Sequence, residues 1–67
     1  MIATIDTPAT GTVTAQFDTM GEASEWIVDV VRAQYGPSRD GVRITGEGLR
    51  GELEDDTYGV IGTWSLA

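Results

Sequence analysis

Residues 18–37, DTMGEASEWIVDVVRAQYGP, carry the helical signal of this chain and decide how the rest must be arranged around it. Asp18 or Thr19 can serve as the N-cap. Thr19 and Glu22 stand at capping-box spacing, where each side chain can satisfy a backbone N–H that has no partner inside the helix. The expected helix runs from about Met20 to Tyr35 and stops at Gly36-Pro37, since glycine takes the left-handed conformation freely and proline cannot continue the ladder. At about 100° per residue, Met20, Ala23, Trp26, Ile27, Val30, Val31 and Ala33 fall on one broad apolar arc. Glu22, Glu25, Asp29 and Arg32 fall on the other side. Val28 and Tyr35 sit at the margin of the arc, and Ser24 and Gln34 interrupt it. One face must pack and the other must meet water.

On both sides of this segment the period changes to two. Upstream, IATI (2–5) reads as a short strand, DTPATG supplies a turn, and TVTAQF (12–17) alternates Val13, Ala15 and Phe17 with Thr12, Thr14 and Gln16. Downstream, GVRIT (41–45) sets Val42 and Ile44 against Arg43 and Thr45, GEG (46–48) reads as a glycine turn, and LRGELE (49–54) sets Leu49, Gly51 and Leu53 against Arg50, Glu52 and Glu54. After a turn at DDT, YGVIGTWSLA gives a last strand with Tyr58, Val60, Trp64 and Leu66 on one face and Ile61 on the other. The order is β-β-α-β-β-β. A single α+β domain, one helix packed on a small antiparallel sheet, buries the apolar side of every element most economically.

The 67 residues leave room for one domain with a thin core, burying roughly 60% of the surface its unfolded chain exposes. Eleven acidic residues oppose four arginines, giving a net charge of −7, and lysine, histidine, cysteine and asparagine are absent. That surplus repels nucleic acid and anionic lipid, which are held chiefly through Lys and Arg, so neither is expected as a direct partner. A basic protein surface is attracted instead. The N-terminus has no basic segment leading into an apolar run, so neither secretion nor a membrane span is expected.

The densest charge lies in GELEDDTYG (51–59), where Glu52, Glu54, Asp55 and Asp56 occupy four of five positions. A calcium loop of the EF-hand kind requires a glycine and a bidentate glutamate at set spacings, and Gly59 comes too late. A catalytic carboxylate pair needs two different environments within a pocket, which a one-helix domain hardly provides. Without His or Cys the usual nucleophile-activating bases are missing as well. The glycines of TGEGLRG precede neither a lysine nor a helix, so they shape turns and not a phosphate cradle. No enzyme, metal or cofactor is expected.

What remains is display of charge. Glu22, Glu25 and Asp29 form a row along the helix, spaced by roughly 4.5 and 6 Å at 1.5 Å per residue, against a phosphate about every 3.4 Å along a DNA strand. Solubility alone is the plainer account of such carboxylates. Trp26 and Trp64 are expected in the core. Arg43 and Arg50 are placed to pair across strands with Glu52 and Glu54, and Arg32 with Asp29, while Arg39 is uncommitted.

A stand-alone domain with a strong negative surplus, no catalytic equipment and one helix on a small sheet resembles the small acidic phage-encoded anti-CRISPR inhibitors. The resemblance is one of overall profile and rests on no shared motif. It implies a non-enzymatic monomer that acts in the bacterial cytoplasm, docks on the basic surface of a CRISPR effector complex and blocks target DNA by imitating its charge. Glu22, Glu25, Asp29, Glu52, Glu54, Asp55 and Asp56 are then the expected contacts. The competing expectation is a small assembly module that oligomerises through a sheet edge or an apolar patch.

Overall fold

The helix begins where its capping residues put it. In the computed structural model, which describes residues 1–35, 42–55, 57 and 59–67, α1 spans Met20–Tyr35. Thr19 is the N-cap: its Oγ1 accepts the Glu22 N–H at 3.2 Å and donates to Glu22 Oε1 at 3.1 Å. The Gly36-Pro37 stop, Arg39 and Asp56 lie outside the described residues, as do Tyr58 and the side chain of Tyr35.

Five antiparallel strands complete the fold: β1 Ile2–Thr7, β2 Gly11–Gln16, β3 Arg43–Glu47, β4 Arg50–Glu54 and β5 Val60–Leu66. Their order across the sheet is β2-β1-β5-β4-β3, so the last strand enters the middle and joins the two hairpins. The helix lies on one face, chiefly over β1 and secondarily over β5. β1, β2, α1, β3, β4 and β5 thus follow the expected β-β-α-β-β-β order of an α+β domain.

The core forms along that line of contact. Ala23, Ile27 and Val31, at i, i+4 and i+8, meet Ala3 and Ile5 of β1, Leu66 of β5 and Leu53 of β4, all buried. Phe17, Trp26, Val30, Val42, Ile61 and Trp64 pack around them while half-buried. Because the helix rests on little more than two strands, its buried stripe is narrower than the expected arc. Met20 is 49% exposed and Ala33 is exposed on the flank.

Three boundaries differ from the sequence reading. β1 continues through Asp6 and Thr7, because the buried Thr7 hydroxyl accepts the Thr10 N–H at 3.1 Å and exchanges a bond with the Thr10 hydroxyl at 2.8 Å. That closes the turn within Pro8–Thr10. The second hairpin turns at Gly48 and Leu49 and not at residues 46–48, so Leu49 leaves its strand and is 49% exposed. In β5 the register slips: Leu53 faces Gly62 but Glu54 faces Val60, so one extra residue is inserted. Such a bulge inverts the alternation. Ile61 therefore packs on the core and Val60 is 54% exposed, the reverse of the expected phase.

Candidate protein-binding surface

The helix and the sheet hold their carboxylates on opposite sides of the molecule. Glu22, Glu25 and Asp29 are exposed on the outer face of α1, opposite the buried stripe. Glu22 spends one oxygen on the Thr19 cap, whereas Glu25 and Asp29 make no hydrogen bond or ion pair among the described residues. Arg32 likewise forms no ion pair among the described residues, so the expected bond to Asp29 does not close.

The second cluster sits on the sheet face turned away from the helix. Cross-strand ranks there run Thr12–Asp6–Thr63–Glu52–Thr45 and Thr14–Thr4–Ser65–Arg50–Glu47. Glu52 is exposed in the first rank. Glu54 is tied down: Arg43, directly across from it, reaches its Oε1 at 3.6 Å. The arginine also donates to the Asp55 carbonyl at 3.3 Å.

Asp55 has a structural task. Its Oδ1 accepts the Thr57 hydroxyl at 2.8 Å, the Thr57 N–H at 2.9 Å and the Gly59 N–H at 2.8 Å, while its own N–H donates to the Gly59 carbonyl at 2.9 Å. The Thr57 hydroxyl first, then the Gly59 and Thr57 N–H groups, and lastly the Arg43 charge hold its carboxyl below the ordinary carboxylate range. The aspartate latches the turn that feeds β5. The seven expected contacts are therefore not brought together. Glu22, Glu25 and Asp29 make one row, Glu52 stands on the far face with Asp6 and Glu47, Glu54 and Asp55 are engaged, and Asp56 is not among the described residues.

Two features escaped the sequence reading. Trp64 is half-buried beside the core, and its indole N–H donates to the Thr45 carbonyl on β3 at 2.8 Å. To do so it lies over Gly51, where a Cβ would collide with the Thr45 oxygen and stand 2.5 Å from the indole nitrogen. Glycine inside a strand marks this kind of close approach, so Gly51 held the available signal. The second feature is an open cleft of about 200 Å³ between α1 and the far hairpin, lined by Ser24, Ile27, Val28, Ile44 and Trp64. It exists because the helix does not reach β3, which leaves Ile44 38% exposed. Its lining is apolar apart from Ser24 and the tryptophan N–H already engaged, so it offers no acid–base pair.

Among the described residues, no helix is long and apolar enough to cross a membrane. No protein-family model, curated protein or solved structure matches this chain.

Proposed function

We propose that this domain is a non-enzymatic inhibitor that docks the outer face of α1 on a basic, DNA-binding surface of a host complex and blocks DNA entry by imitating its charge. The profile resemblance names a CRISPR effector complex in the bacterial cytoplasm as the target. The observation that carries the reading is the exposure of Glu25 and Asp29, unpaired among the described residues, on a helix whose opposite face packs the core. Charge held this way costs the fold little and is available to a cationic receptor. Glu22 extends the row, and Glu52 on the opposite layer falls outside the docking face. The surplus of −7 over the whole chain adds long-range attraction toward any basic groove.

The test is binding to a purified effector complex at low and high salt, with target DNA as competitor. Affinity should fall steeply as salt rises, and DNA and the domain should exclude one another. Reversal of Glu25→Arg with Asp29→Arg should leave the fold unchanged and weaken binding by about tenfold or more, equivalent to about 1.4 kcal/mol. Binding that ignores both salt and the double reversal would remove the helix row from the contact.

A further inference from the structure

Among the described residues the sheet has two unpaired edges, and they are built differently. The β3 edge carries Arg43 and Glu47 in five residues, and Gly46 departs from strand geometry at φ +127°. Charges and kinks are the usual means of keeping an edge from pairing. The β2 edge has no charge, and its positive-φ residue, Gly11 at φ +68°, stands only at the first position of the strand. From Thr7 to Phe17 the chain contains no charged residue, and β2 itself reads GTVTAQ.

The ladder shows which groups that edge presents. Met1 and Phe17 exchange both backbone bonds, and Ile2 exchanges both with Ala67. Alternation along the register then turns Val13 and Ala15 toward β1 and leaves the N–H and C=O groups of Thr12, Thr14 and Gln16 pointing outward.

We propose that β2 pairs antiparallel with β2 of a second copy of this chain, across a two-fold axis at Thr14, to make one continuous ten-stranded sheet. The register is self-complementary. Thr14 faces its own copy and Thr12 faces Gln16, so all three outward residues on each side exchange hydrogen bonds. On the helix side, Val13 faces Ala15. At the end of the strand Phe17 comes opposite Gly11, where nothing stands within 4 Å of the missing Cβ, leaving room for the ring. The absence of charge matters because each copy carries −7, and this edge is where two such chains approach with no carboxylate on either strand. The axis is perpendicular to the sheet, so both helices lie on one side with Trp26, Val30 and Ala33 lining the groove between them. A closed pair of this kind also hides the edge from further growth. The proposal replaces the monomer expected from charge and does not depend on the docking reading; where both hold, the dimer displays two acidic rows on the same side.

Sedimentation equilibrium over a wide concentration range tests it. The mass should rise from 7.1 kDa to twice that value, and the dimer should tighten as salt screens the repulsion, the opposite of the salt response expected for docking. Thr14→Pro removes an N–H that the β1 ladder does not use, so the variant should remain folded by circular dichroism and become monomeric. Thr14→Glu sets two like charges face to face and should raise the dissociation constant about tenfold or more at low salt. Ile44→Lys on the other edge should leave the dimer intact. A chain that stays at 7.1 kDa into the millimolar range overturns the proposal. So does a dimer that persists undiminished in Thr14→Glu, or a monomer that accepts a foreign strand along β2.

Discussion

The two hairpins are equal partners of β5, yet they differ in nearly everything else. β1-β2 lies under the helix, supplies Ala3 and Ile5 to the core and ends in an uncharged edge. β3-β4 extends beyond the helix, supplies one fully buried side chain, Leu53, and ends in a charged edge. The helix therefore does not cover the sheet evenly, and each uncovered region is handled by its own composition. The far hairpin compensates with Trp64, which crosses Gly51 to bond Thr45, and with the Arg43–Glu54 pair. The near hairpin has no comparable protection at its edge.

If that contrast is right, the largest mutational effect belongs to the single deep anchor of the far hairpin. Leu53→Ala should cost about 2–5 kcal/mol in urea denaturation, whereas Ile44→Ala, across the ladder on the same face, should cost no more than about 1–1.5 kcal/mol because Ile44 is already 38% exposed. Equal losses at the two sites would mean that β3 is covered after all. Gly51→Ala should come next, at about 1–3 kcal/mol for forced overpacking, with a shift in tryptophan fluorescence as the indole leaves its seat. Thr19→Ala removes the helix cap and should cost about 1 kcal/mol, with the loss appearing equally in both hairpins, since α1 holds them only through the shared core.

The smallest effect lies at the Asp55 latch. Its folded-state carboxyl titrates below the ordinary value, so its stabilisation is complete above the unfolded value of about 3.9 and is lost as pH falls through the lower folded value. Amide shifts of Thr57 and Gly59 followed by NMR should report that acid transition. In Asp55→Asn that transition should vanish from both amides.

Much of the fold was legible in the sequence because α1 and the hairpins declare themselves through local periodicity and capping. Strand order was not, since no local pattern says that β5 enters between β1 and β4. The phase of Val60 and Ile61 was misread for a related reason: a bulge is set by how two strands register against each other, and DDTYG alone does not reveal it. At the candidate site, the helix row followed from angles on one element. The fate of Glu54 and Asp55 depended on their partners: Arg43 across the ladder for Glu54, and the Thr57 and Gly59 groups two and four residues on for Asp55. Charge density in the sequence therefore overstated the available charge on the surface.

The opposite roles assigned to the two edges are tested most directly by residue-resolved amide hydrogen exchange measured at rising protein concentration. The Thr12, Thr14 and Gln16 amides should become protected as concentration rises, while the Ile44 and Gly46 amides, which the same alternation leaves outward on β3, stay fast throughout. Equal and concentration-independent exchange at all five positions would contradict those roles.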